Sequence, residues 1–344
     1  MKIAIRQANE DCHSRTYNTA REKKTKELKT VKERELGMVN YVAALRPKLH
    51  GLMKMAGVKP YTVEIEPGTV MNFWVPLETL KKKPTKKGEK PVVVLVHGFF
   101  SDGILTWLFQ VVALTKKYSV YIPDLLFFGG SITDKTDRSP SFQAECLVAG
   151  LRKLGVERCT VVGFSYGGMV AFKMAEHHAD LVEAVVVSGS VIEMTDSISD
   201  TMLQNLGYSS SSEMLLPTSV KDLKALLSVA AQKKLWFPDR LHKDFLEVMF
   251  TNRKERAELL EGLVISNKDT KVPNFPQKIH LLWGENDQIF NLKLAQNMKA
   301  QLRENASFQG ILKAGHLVHL ERPSVYNRYL KQFLASLHTN KAQK

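Results

Sequence analysis

Apolar and polar positions follow three different rhythms along the chain. Six short, continuous and β-branched apolar runs stand out first: Val92–Val96, Tyr118–Ile122, Thr160–Phe164, Ala184–Val187, Ile279–Trp283 and Phe308–Leu312. Strands that are apolar on both faces and separated by helix-length amphipathic segments predict a mainly parallel sheet covered on each side, an α/β architecture. In such sheets ligands bind beyond the carboxyl ends of the strands. Ahead of the runs, Tyr61–Glu66 alternates apolar with polar, Pro67-Gly68 supplies a turn, and Thr69–Val75 returns, which reads as a β-hairpin. Earlier still, Val39, Val42, Leu45, Leu49, Leu52, Met53 and Ala56 recur at three- and four-residue steps, predicting an amphipathic helix within residues 38–58, interrupted near Pro47.

One interval departs from the strand-helix rhythm. Residues 190–272 show no convincing buried strand but carry helical patterns near Val220–Ala231, Leu241–Phe250 and Glu255–Val264. A segment of that length is too long for a loop, so it is expected to form a helical lid. The sheet-bearing core is then residues 59–189 and 273–338.

Composition and charge narrow the picture. The chain has 344 residues, 44% of them hydrophobic and 24% charged, enough apolar material for a large core and with no run long enough to span a bilayer. The net charge of +14 raises a nucleic-acid reading, but much of it is local: residues 1–37 carry ten Lys or Arg against six acids, and Lys81–Lys90 carries six Lys against Glu89. These segments read as a polar, disordered extension and a solvated loop, with weak peripheral attraction to anionic lipid as the sharper alternative. No nucleic-acid-binding signature accompanies them, so no nucleic-acid partner is expected. Residues 1–37 have no apolar core resembling a signal peptide, and Cys12, Cys146 and Cys159 are too few for a disulfide framework, so a cytoplasmic location is expected.

The most specific chemical signal is Gly163-Phe164-Ser165-Tyr166-Gly167, set directly after a predicted strand and before a predicted helix. This is G-x-S-x-G in its strand-turn-helix context, where glycines admit a sharp turn that exposes the serine hydroxyl. A serine hydroxyl needs a base, and the base needs a carboxylate to fix its tautomer. Asp287 follows one predicted strand within Gly284-Glu285-Asn286-Asp287, and His316 follows the last one within Gly315-His316. The order Ser165, Asp287, His316 matches that of such sites. His319 competes with His316, and Asp124 and Glu285 compete with Asp287; Asp124 is expected to organise its loop through Gly129-Gly130-Ser131. The amides of Tyr166, next after the nucleophile, and Phe99, in His97-Gly98-Phe99-Phe100, are expected to form an oxyanion hole. His97 itself is expected to shape that loop.

His-Gly-Phe-Phe, Pro-Asp-Leu with a later Gly-Gly-Ser, Gly-Phe-Ser-Tyr-Gly-Gly, Trp-Gly-Glu-Asn-Asp and Gly-His followed by Glu321-Arg322-Pro323 together resemble the α/β-hydrolase superfamily over residues 60–338. Within it the chain resembles lidded plant serine hydrolases related to monoacylglycerol lipases and to hydrolases of ring-cleavage products. The resemblance implies the triad already read from the residues, a helical cap, and residues 1–37 as an extension. Epoxide hydrolases and haloalkane dehalogenases of the superfamily carry aspartate where this chain has Ser165. The bulky Phe99-Phe100 replaces the glycine-rich run of ring-cleavage hydrolases. The expected activity is therefore hydrolysis of a small to medium apolar carboxylic ester, or lipid, as small-molecule substrate, with carbon–carbon bond hydrolysis and receptor-like ligand binding as alternatives. Phe100, Trp107, Phe127 and Phe128 are pocket candidates; no metal, no cofactor and no obligate protein partner are expected.

Overall fold

The computed structural model describes residues 39–80, 90–233, 236–270 and 272–339. The expected disordered extension at residues 1–37 and nearly all of the Lys-rich loop lie outside the described residues. The chain divides between Arg46 and Pro47 into two compact units. Helix α1 is Tyr41–Met55. At its start the Asn40 carboxamide oxygen accepts from the Ala43 amide at 2.9 Å. Pro47 lies inside the helix and does not interrupt it, contrary to expectation. In the second unit, Met53 is buried and His50 meets Trp74 edge-on, with ring centroids 4.9 Å apart.

The alternating segments form the expected hairpin of β1, Val58–Glu66, and β2, Thr69–Pro76. There follow β3, Val92–Val96; α2, Gly103–Leu114; β4, Ser119–Pro123; the short β5, Ile132–Thr133; α3, Pro140–Lys153; β6, Cys159–Phe164; α4, Tyr166–His177; and β7, Val182–Ser188. The core closes with β10, Lys278–Gly284; α10, Leu292–Leu302; β11, Ala306–Ile311; α11, Val318–Glu321; and α12, Pro323–Thr339. The sheet order is β1-β2-β4-β3-β6-β7-β10-β11, and every pairing from β4 to β11 is parallel. Each residue of β6 is buried, as the continuous apolar run requires of a central strand with helices on both faces. The fold is thus that of an α/β hydrolase, with its strand ends gathered at one edge.

Between β7 and β10 the chain forms β8, Met194–Thr195; α5, Asp196–Leu206; α6, Ser211–Leu215; α7, Val220–Ala230; α8, Asp239–Met249; α9, Arg253–Glu261; and β9, Val264–Ile265. The sequence pattern marks the last three helices of this insertion; α5 and α6 are additional. α7 begins with a capping box, in which Ser219 and Asp222 satisfy each other's backbone amides. β8 and β9 pair in parallel, Met194 against Val264, and so bring together the two ends of the insertion. No helix among the described residues is long and apolar enough to cross a membrane.

Candidate active site

Ser165 joins β6 to α4 at φ 54° and ψ −123°, a backbone conformation that L-residues adopt only when the surroundings impose it. The surroundings here are hydrogen bonds and missing side chains. The Ser165 amide donates to the Ser188 carbonyl at 2.9 Å, and the Ser165 carbonyl accepts from Ser190 Oγ at 2.7 Å. A Cβ on Gly163 would stand 2.5 Å from the Gly167 carbonyl, and one on Gly167 would stand 2.3 Å from the carbonyl of His97. A larger residue at 167 would push the elbow off the end of β3, and one at 163 would push it off the start of α4, so the glycines of the motif answer to backbone contacts.

Asp287 and His316 come together from two different strand ends. His316 Nδ1 is 2.9 Å from Asp287 Oδ2, and both residues are buried. The carboxylate accepts, so Nδ1 carries the proton and Nε2 is left as the basic nitrogen. The other carboxylate oxygen accepts from the amides of Ile289 and Phe290, each at 2.9 Å, which fixes the orientation of Asp287. His316 and Ser165 line the same cavity. The His316 loop is itself held: the Gly315 amide donates to Glu321 at 2.6 Å, and the Leu317 amide donates to the Ala230 carbonyl of the insertion at 3.0 Å.

The competitors have other occupations. Asp124 accepts from the Gly103 amide at 2.9 Å and from Asn72 Nδ2 at 2.7 Å, and a Cβ on Gly129 would collide with it. It therefore braces its own loop. The Glu285 carboxyl lies over Gly310, where a Cβ would come within 2.4 Å of Oε1. His319 is fully buried between Phe164, Trp107 and Tyr326, with neither ring nitrogen hydrogen-bonded, and burial lowers its pKa to about 3. It stays neutral and sits behind the site. His97 Nε2 accepts from the Leu125 amide at 2.9 Å, so Nδ1 is the donor to the Gly98 carbonyl at 2.7 Å. Both nitrogens are committed to loop structure, and burial lowers this pKa to about 4.

Phe99 and Tyr166 meet edge-on at 5.9 Å, one after β3 and one at the start of α4. The turn at Gly98 passes close to Ser165, since a Cβ there would lie 3.1 Å from Ser165 Cβ. As the first residue of α4, Tyr166 has an amide with no intrahelical acceptor.

The cavity wall is mainly apolar. From the core come Phe99, Phe164, Tyr166, Met169, Ile289 and Phe290; from the insertion come Met194, Met202, Met214, Leu226, Leu260 and Leu263. Of the four aromatic pocket candidates only Phe100 lines it, stacked on Phe245 of α8 at 4.9 Å. Contrary to expectation, the other three do not line it. Trp107 faces inward from α2 against His319 and is completely buried. Phe128 lies under the guanidinium of Arg256, 4.0 Å from the ring centroid. Phe127, at φ 72°, gives its carbonyl to Arg256 Nε and Asn252 Nδ2, each at 3.1 Å. These two aromatics fasten α9 to the core, and burial lowers the Arg256 pKa to about 10.

Sequence reasoning missed Gly189. It stands at the carboxyl end of β7 with φ 53°, and a Cβ there would lie 2.7 Å from His316 Nδ1 and 3.1 Å from Asp287 Oδ2. Its missing side chain is the space that the acid–base pair occupies. The signal was present as Ser188-Gly189-Ser190 at a strand end, where the two serines also anchor the backbone of Ser165. Among the described residues no group of three or more His, Cys, Asp or Glu is placed to hold a metal ion.

Comparison with known proteins gives a consistent picture. The profile of the Alpha/beta hydrolase family matches residues 93–328. The chain is 26% identical over 271 residues to monoacylglycerol lipase ABHD6 of Bos taurus, covering 74% of this chain and 78% of that protein. It is equally 26% identical over 271 residues to epoxide hydrolase 3 of Xenopus tropicalis, covering 71% of each. A bacterial membrane phospholipase A of known structure superposes with a TM-score of 0.70 at 22% identity, covering 90% of this chain and 96% of that one.

Proposed function

We propose that this chain, which belongs to the alpha/beta hydrolase family, is a serine hydrolase that cleaves a small to medium apolar carboxylic ester through an acyl-enzyme. The observation that carries the reading is the strained Ser165 sharing one apolar cavity with a His316 whose Nδ1 is held by Asp287. In this mechanism Ser165 Oγ attacks the ester carbonyl while His316 Nε2 takes its proton. The resulting oxyanion is held by the amides of Phe99 and Tyr166. His316 then returns the proton to the leaving alcohol, and water, activated by the same nitrogen, releases the acid and regenerates Ser165. Asp287 orients the imidazole and stabilises its charged form. The insertion acts as a lid that excludes water and contributes half of the acyl wall.

A serine at the elbow favours acyl transfer over the epoxide opening named for one relative, because a hydroxyl that opened an epoxide would be left as a stable ether, whereas one that attacks an ester expels the alcohol and forms an acyl-enzyme that water, activated by His316, hydrolyses. Wild-type protein is expected to label with a fluorophosphonate probe and to turn over p-nitrophenyl butyrate many times per molecule, with both lost in Ser165→Ala. Labelling that survives Ser165→Ala would overturn the nucleophile assignment. Release stalling after one equivalent would replace catalysis by a receptor-like role.

A further inference from the structure

The four tryptophans of the chain divide sharply by environment. Trp74, Trp107 and Trp283 are 2%, 0% and 0% exposed, whereas Trp236 is 84% exposed and the adjoining Phe237 is 42% exposed. Both stand in the segment of the insertion that leads into α8, and the Phe237 ring meets the His242 ring edge-on at 6.0 Å. Two neighbouring aromatics facing water oppose the tendency of such rings to be covered.

We propose that the Trp236–Phe237 turn docks the protein on an anionic lipid surface. Two exposed rings cover far less than the roughly 800 Å² per partner of a stable protein interface, but they suffice as an interfacial anchor. Tryptophan and phenylalanine lodge between headgroups and acyl chains, and neighbouring lysines reach back to lipid phosphates. The charge around the turn suits that surface. Residues 221–243 hold six Lys or Arg against two Asp. Asp222 is engaged in the cap of α7 and Asp239 pairs with Lys224. Arg240 pairs with Asp244, while Lys221, Lys233 and Lys243 are exposed.

Position links the turn to the active site. Ala230 and Lys233, which precede it, lie on the His316 loop: Ala230 accepts from the Leu317 amide, and the Lys233 amide donates to Glu321 at 2.9 Å. A lipid surface touched by Trp236 would therefore lie within a few residues of the base. This anchor is distinct from the segments at Val39–Ala56 and Lys81–Lys90.

Vesicles of phosphatidylcholine with and without phosphatidylserine test the idea on the full chain. Because the other tryptophans are buried, a blue shift of intrinsic fluorescence on adding anionic vesicles reports on Trp236. The expected result is such a shift, reversed by high salt, and at least a tenfold loss of vesicle sedimentation in Trp236→Ser/Phe237→Ser. That variant should hydrolyse the monomeric ester p-nitrophenyl acetate as the wild type does, which shows that it is folded. Ser165→Ala should sediment like wild type, so docking stands or falls independently of the proposed chemistry. Sedimentation unchanged by the double substitution, or no shift with anionic vesicles, would overturn the proposal.

Discussion

The floor and roof of the cavity restrain their residues differently. On the floor, Ser165 is held at positive φ by the backbone of Ser188 and the hydroxyl of Ser190, and Gly163, Gly167 and Gly189 stand where a single methyl would strike a carbonyl or the His316 ring. On the roof, Met194, Met202 and Met214 come from the insertion and offer unbranched thioether chains that can repack around different shapes. A charge-bearing reaction needs donors and base fixed to fractions of an ångström, whereas an apolar chain needs only a dry surface of adequate extent. Under the proposed reaction the floor would set the rate and the roof would select the chain.

Substitutions on the two sides should therefore behave differently. Ser165→Ala is expected to lower kcat by about 10⁶-fold, and Asp287→Asn by about 10⁴-fold through the wrong imidazole tautomer, both read from ester turnover. Gly189→Ala should cost about 10²-fold, because a Cβ at 2.7 Å from His316 Nδ1 displaces the ring. If it leaves kcat unchanged, the floor tolerates movement and the contrast fails.

A broader test uses three buried, neutral histidines. His97 and His319 have pKa values lowered to about 4 and about 3 by burial, and His280 to about 4, from an ordinary 6.5. The unfolded chain binds protons at these sites below pH 6.5 while the folded chain does not. Stability contributed by the neutral forms is therefore complete above pH 6.5 and is lost as pH falls toward 4, by up to about 1.4 kcal/mol per pH unit per group. Urea unfolding at pH 7.5 and 5 should show the loss, and His319→Phe should make it shallower. On the roof, Met214→Ala should change preference between butyrate and octanoate esters by about tenfold or less while leaving the maximal rate nearly unaltered.

Much of the floor was legible in the sequence because its constraints are local. G-x-S-x-G needs its neighbours within the same turn, and Asp287 and His316 each follow a strong apolar run, so chain order and strand ends sufficed to mark them. The continuous runs also located each parallel strand to within a few residues. Gly189 was not legible, because what its missing Cβ makes room for arrives about a hundred residues later. Trp107, Phe127 and Phe128 misled for a related reason: an aromatic near a site in sequence can serve as packing or as lining, and only the direction of its side chain decides. Phe127 and Phe128 meet Arg256 across some 130 positions of chain. The two-residue strands β8 and β9 carry too few residues for any periodicity to show.

Those two short strands have an evolutionary corollary. Adjacent strands lie about 4.8 Å apart, so the chain passes Met194 on its way into the insertion and Val264 on its way out at almost the same point in space. Everything between these positions is a cassette with touching ends. It could be exchanged for one of another length or composition without altering the register of a single central strand, so new substrate ranges can arise by replacing the cassette over an unchanged catalytic base.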